Sequence, residues 1–174
     1  NYLHKPSRGK PSRLVKWTPP TFPFVKLNTN GSSLGISRVS GYGGIIRDHC
    51  GNFLTTFSGS CGTTTSLRSK LFAVYHGLCE AWEEGYRYVI CESNSAMALY
   101  LINKGSSTWN PHHPLVKLIR NLAQQQWIIS FTHVLHEGNS RANWLARYGY
   151  AYEDSFYVWN ICPYQLATLV LADL

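Results

Sequence analysis

Glu92 stands two residues before Asn94 in the run YVICESN. Successive residues of a strand point to opposite faces, so the acid and the amide present their side chains to the same side. Magnesium takes carboxylates, waters and phosphates as ligands, and Glu92 is the acid best placed to offer one, as a weak metal candidate. Glu137 lies in the segment HEGN, and Asp48 in a turn remote from Asn94. His112 and His113 are adjacent and precede Pro114, without the i, i+4 spacing that sets two ligands on one helix face. They read as a solvated loop. His76 falls within a helical pattern and reads as a face residue, whereas His133 and His136 bracket a short loop from which His136 could reach a phosphate. No Ser-His-Asp or Cys-His arrangement is legible. The cysteines Cys50, Cys61, Cys79, Cys91 and Cys162 are odd in number and lack CxxC spacing. That pattern argues against a zinc knuckle or a disulfide framework and favours a reducing, intracellular setting.

The elements that must position these groups follow from the hydrophobic pattern. FVKLNTN alternates as a strand does, and the Ser/Gly-rich stretch near 31 to 41 is expected to be a loop. GYGGIIRD (41 to 48) and NFLTTFSGS (52 to 60) read as two strands about a tight turn at His49, Cys50 and Gly51. Leu67, Leu71, Val74, Leu78 and Ala81 recur at spacings of three and four, which predicts an amphipathic helix from about Thr64 to Glu84. YRYVICE is a buried-looking strand. Ser95 to Lys104 and Pro114 to Gln125 are helices, WIISFTHV (127 to 134) a fifth strand, and Arg141 to Tyr150 a closing helix. The order βββαβααβα predicts an α/β fold with a mixed five-stranded sheet and helices packed on it.

At 174 residues and 44% hydrophobic, the chain supports one substantial core. Residues 1–23 carry five basic residues and five prolines and read as a basic arm or linker, residues 24–151 as the domain, and residues 152–174 as an apolar tail. The tail patches SFYVWNI and LATLVLA would pack back on the domain or meet a protein partner. No run approaches transmembrane length, and the N-terminal basic residues lack the apolar stretch of a secretory signal. A chain opening on Asn1 fits a segment of a longer polypeptide.

Four segments carry a more specific signal: KLNTNGS (26 to 32), SLRSKLFAVYHGL (66 to 78), YVICESNSAMAL (88 to 99) and HVLHEGNSRANWLA (133 to 146). Together they strongly resemble the ribonuclease H-like domain of plant non-LTR retrotransposons, which reads KxNxDG, sxxAExxAxxxGL, vExDS and vxREgNxxAD. The resemblance covers about residues 17 to 150 and implies the ribonuclease H-like fold. In that family the DG aspartate, the helix glutamate, the DS aspartate and the AD aspartate hold two magnesium ions for cleavage of RNA in an RNA–DNA hybrid. Here those positions are Asn30, Lys70, Asn94 and Asn143.

Two-metal hydrolysis places its ions roughly 3.5 to 4 Å apart and needs several negative oxygens around them. An asparagine offers a neutral carbonyl, and Lys70 puts a cation where two cations would sit. With no catalytic position intact, the resemblance implies a retrotransposon-derived pseudoenzyme that requires no metal cofactor. Nucleic acid, as hybrid or duplex backbone, would be held weakly and salt-sensitively, with Lys70, His136, Arg141 and Arg147 as contacts. Lys70 is expected either to donate to the Asn30 or Asn94 carbonyl or to point into solvent. An active hybrid ribonuclease and a protein-interaction or structural module are the alternative readings. The net charge of +7 fits an anionic partner. Reverting the four positions would take one base from the 16 and add four acids to the 9, so five of the seven excess charges come from them.

Overall fold

The computed structural model describes residues 15–34, 38–151 and 156–173; Lys5, Arg8, Lys10 and Arg13 of the expected basic arm lie outside them. Strands β1 (Val25–Ser33), β2 (Arg38–Arg47) and β3 (Phe53–Thr64) form an antiparallel meander. Between β2 and β3, Asp48 Oδ1 accepts from Cys50 N and Asn52 N, both at 2.8 Å, and Gly51 takes a positive φ of 81° that closes the turn. Helix α1 (Ser66–Glu83) starts at Thr65, whose side chain accepts from Arg68 N. It leads to β4 (Tyr88–Ser93), which pairs in parallel with β1. Helices α2 (Ala96–Lys104) and α3 (His113–Ala123) precede β5 (Ile128–His133), which is parallel to β4. A 3-10 turn at His136–Asn139 runs into α4 (Ser140–Ala151).

The sheet has six strands rather than the five expected from the hydrophobic pattern. The sixth, β6 (Phe156–Trp159), comes from the tail and pairs antiparallel with β3, giving the order β5-β4-β1-β2-β3-β6. The run FYVW covers an edge that would otherwise be open, and its Tyr157 and Trp159 rings stack at 5.5 Å while both contact Tyr148 of α4. A last helix, α5 (Tyr164–Leu171), buries Leu166 and Val170 against Ile45 and Leu145. The tail is thereby part of the packed body. So is the end of the expected arm, since Trp17 is buried. The Ser/Gly-rich stretch expected as a loop is largely strand, with β1 running on to Ser33 and β2 beginning at Arg38.

Alternation along β1 assigns its two faces. Leu27 meets Gly77 of α1, and Gly31 meets the α1 backbone at Ser69 and Lys70. Lys26, Asn28 and Asn30 therefore face the side covered by α4 and α5. On the α1 side lies the larger core, built around Leu27, Phe57, Leu71, Val74, Leu78 and Ile119. Cys91 of β4 belongs to it, and burial pushes its thiol up to about 12. His76 of α1 stacks on Tyr42 at 4.6 Å and lies 5.2 Å from the ring of Phe156 in β6.

Gly43, paired with Asn30 across the sheet, lets α4 lie directly on β2. A Cβ at this position would meet the Leu145 carbonyl carbon at 2.7 Å and Ala146 N at 2.9 Å. Backbone atoms cannot swing away as a side-chain tip can, so Gly43→Ala should lower the free energy of unfolding by about 1–3 kcal/mol, read as a lower urea midpoint. Burial also lowers the pKa of His76. With the folded value below the unfolded value of about 6.5, its contribution to stability is full at higher pH and is lost as pH falls toward the folded pKa. His76→Phe should flatten the fall in unfolding free energy between about pH 7 and pH 5.

Candidate functional site

Three of the four singled-out positions gather where the ends of β1 and β4 meet the start of α4. Asn30 is buried on β1, and its Nδ2 donates to Asn143 Oδ1 on α4 at 3.2 Å, while its Oδ1 accepts from Gly31 N at 2.9 Å. Asn94 follows β4, where Ser95 caps α2 by accepting from Ala98 N. The Asn94 amide lies 3.2 Å from His136 Nδ1. Asn139 fastens the 3-10 turn below them by donating to Thr29 O at 2.8 Å and more weakly to Asn94 Oδ1 at 3.5 Å. Asn139 Oδ1 is buried and accepts from no group among the described residues.

Lys70 enters from the other face of the sheet. Its backbone N lies 2.3 Å from where a Gly31 Cβ would be, so α1 and β1 touch at this point and residue 70 stands beside the strand segment that carries Asn30. The expected donation from its ammonium to the amide carbonyls is not what the structure contains. Asn30 Oδ1 is taken by Gly31 N, Asn143 Oδ1 by Asn30, and Asn94 Oδ1 by Asn139. Among the described residues, the Lys70 side chain makes no hydrogen bond or ion pair, and it is partly buried.

Glu92 lies on the α4 side of the sheet, as the two-residue spacing predicts, but its carboxylate is occupied. Lys26 Nζ is 2.9 Å from Oε1, and Asn28 Nδ2 donates to Oε2 at 2.8 Å. Both ion-pair partners are nine-tenths buried or more. Lys26 also donates to Thr18 O at 2.6 Å. Asn28 Oδ1 accepts from Trp17 Nε1 at 2.8 Å and from Arg47 Nη2 at 3.4 Å. The Arg47 guanidinium lies over the Trp17 ring at 3.6 Å and pairs with Asp173 at 2.7 Å. Arg141, expected to face nucleic acid, also pairs with Asp173, through Nη2 at 2.9 Å and Nε at 3.2 Å. His136 and Arg147 are exposed, and Arg147 lies four residues beyond Asn143, on the same side of α4.

Sequence reasoning missed this buried network. One signal was present, because Lys26, Asn28 and Asn30 alternate with the apolar Val25 and Leu27 and so mark a polar stripe on one face of β1. Nothing local points from Arg47 to Asp173, which lies 126 residues away. Of the paired histidines, His113 Nδ1 is within 3.1 Å of Ser106 Oγ, and burial together with nearby Arg68 lowers the pKa of His112.

The donor set at the four positions is three neutral amides and one ammonium. Magnesium takes several anionic oxygens and sheds its water reluctantly, so these residues do not fit a pair of such ions. Glu92 cannot make up the deficit while neutralised by Lys26. The Asn30 and Asn143 amides bond to each other, which ties β1 to α4.

Residues 28–149 match the family model described as reverse transcriptase-like. Over 173 residues the chain is 30% identical to an Arabidopsis thaliana protein provisionally named a ribonuclease H protein; the match covers 99% of this chain and 28% of that protein, so the chain spans under a third of its relative. Among solved structures, ribonuclease H1 of Halobacterium salinarum superposes with a TM-score of 0.68 at 20% identity, covering 72% of this chain and 96% of the other. LC11-RNase H1, solved in complex with an RNA/DNA hybrid, gives 0.66 at 22% identity, covering 73% and 96%. These likenesses show a ribonuclease H-like fold. Among the described residues no helix is long and apolar enough to cross a membrane.

The amide pair makes the site testable by charge reversion. Asn30→Asp with Asn143→Asp should cost about 1–3 kcal/mol at neutral pH, because a donor is lost and two carboxylates face each other. Adding Lys70→Glu and Asn94→Asp should make the melting temperature rise with magnesium, while the parent chain shows no such rise.

Proposed function

The chain belongs to the reverse transcriptase-like family, and from that premise we propose that it is a retrotransposon-derived ribonuclease H-like domain that holds the backbone of an RNA–DNA hybrid or duplex without cleaving it. The observation that carries the reading is the site itself: every position at which the family resemblance calls for a carboxylate is an amide or an ammonium, Asn30 donates to Asn143, and Asn94 meets His136 and Asn139. Loss of the acids removes the chemistry but leaves a surface that repels a phosphate chain less than an intact acidic site would.

The distribution of charge supports docking at that end. Glu80, Glu83 and Glu84 interact at the end of α1, and Glu84 and Asp48 both act on Tyr86, which puts four of the nine acids together. Lys70 lies near the start of the same helix, about 20 Å away at 1.5 Å per residue. Around the amides, exposed His136 and Arg147 and partly buried Lys70 are accompanied by the exposed acid Glu137. Such a bipolar charge pattern orients a polyanion toward the site. Recognition by this fold through backbone and duplex shape asks nothing of base edges, and a hybrid is what LC11-RNase H1 holds in its complex.

Affinity of the purified chain for an RNA–DNA hybrid should fall steeply as salt rises from about 50 to 200 mM. Lys70→Glu and Arg147→Glu should each weaken binding and make the salt dependence shallower by about one contact. Magnesium- or manganese-dependent cleavage of the hybrid, at a rate above that of a chain carrying Asn30→Ala and Asn94→Ala, would overturn the proposal.

A further inference from the structure

Asp173, in the turn after α5, receives two arginines from different elements. Its Oδ2 accepts from Arg47 Nη1 at 2.7 Å and from Arg141 Nε at 3.2 Å, and its Oδ1 accepts from Arg141 Nη2 at 2.9 Å. Arg141 Nη1 donates to Ser140 Oγ at 3.1 Å, at the first residue of α4. Lys26 and Glu92 neutralise each other alongside. One carboxylate thus faces two guanidinium groups, and among the described residues the cluster keeps a surplus positive charge. Arg47 is 1% exposed, and its Nε has no hydrogen-bond partner among the described residues. Two guanidinium forks converging on a single anion with a donor to spare suit a group with more oxygens and more charge than a carboxylate carries.

We infer that Arg47, Arg141 and Ser140 form a phosphate-binding pocket in which the Asp173 carboxylate is an intramolecular stand-in for the phosphate group. The pocket is built: Trp17 fixes the Arg47 plane from one side, Asn28 accepts from its Nη2, and Arg141 lies two residues before Asn143 on α4, beside the amide site. Its own ligand lies in the turn that follows an eight-residue helix, which packs on the sheet through Leu166 and Val170. The identification of that phosphate with a nucleic-acid strand rests on the function proposed above. The pocket itself does not.

Inorganic phosphate separates the two. Asp173→Ala should melt at a temperature that rises with phosphate and saturates, relative to chloride of equal ionic strength, whereas the parent chain should respond less because its own carboxylate competes. Asp173→Asn, which keeps the shape and removes the charge, serves the same purpose if the alanine variant does not fold. Adding Arg141→Gln to either variant should abolish the response. In parallel, the slope of log affinity for a hybrid against log salt should steepen by about 0.9 in the Asp173 variants, one more phosphate contact, and return to the parent value with Arg141→Gln. Failure of phosphate to stabilise both Asp173 variants, or equal stabilisation after Arg141→Gln, would refute the pocket. Phosphate stabilisation with unchanged hybrid slope would support the pocket as a site for free phosphate and overturn the nucleic-acid strand as its ligand.

Discussion

A charged or polar group taken out of water inside a folded chain has to meet an opposite charge or a set of hydrogen bonds, because burial without them costs up to several kcal/mol. β1 imposes this condition three times on one face, with Lys26, Asn28 and Asn30 in alternate positions and all nearly inaccessible. Much of the rest of the α4 side answers it. Glu92 comes from β4 to meet Lys26 and Asn28, Trp17 comes from the N-terminal segment to donate to Asn28, and Asn143 comes from α4 to accept from Asn30. The network extends through Arg47 to Asp173 and Arg141, and by that route the tail is held to the sheet. Apolar burial of Leu166 and Val170 holds α5 in place, while the ion pairs fix its register over the arginines.

The same stripe explains how the site keeps its shape without acids. In a cluster of carboxylates the mutual repulsion is relieved by bound cations. Here Asn30 donates to Asn143 and Asn139 donates to Asn94, so amides rather than acids line the place where β1, β4 and α4 converge. Glycine makes the convergence close. Gly43 admits the α4 backbone over β2, and Gly31 admits the α1 backbone against β1, so both helices meet the sheet at the level of Asn30. These close contacts set where residues 70 and 143 emerge, whatever side chains they carry.

Much of the fold was legible from local pattern. The periodicity of Leu67, Leu71, Val74 and Leu78 marks α1, and Gly105 marks the end of α2. β6 was less legible because FYVW gains strand character only by pairing with Thr56–Gly59, about a hundred residues earlier. The stretch near 31 to 41 reads as loop from its serines and glycines. Gly31 and Gly41 instead serve close helix–strand packing, a use that composition does not distinguish from a turn. At the site, residue types alone showed the loss of carboxylates. They could not show that Glu92 is occupied by Lys26, or that Arg141 is turned toward Asp173.

The sequence by itself determined the order of strands and helices from β1 to α4, the membership suggested by four short motifs, and the chemical character of the site, because each of these is written in neighbouring residues and their spacing. The tertiary structure decided which charges are available. Lys26, Arg47, Glu92, Arg141 and Asp173 are ordinary ionisable residues in the sequence, and their accessibility is fixed by partners up to 126 residues away. Periodicity carries no information about such pairings. They arise only when two faces of the sheet are covered and the polar stripe of β1 must find its counter-charges.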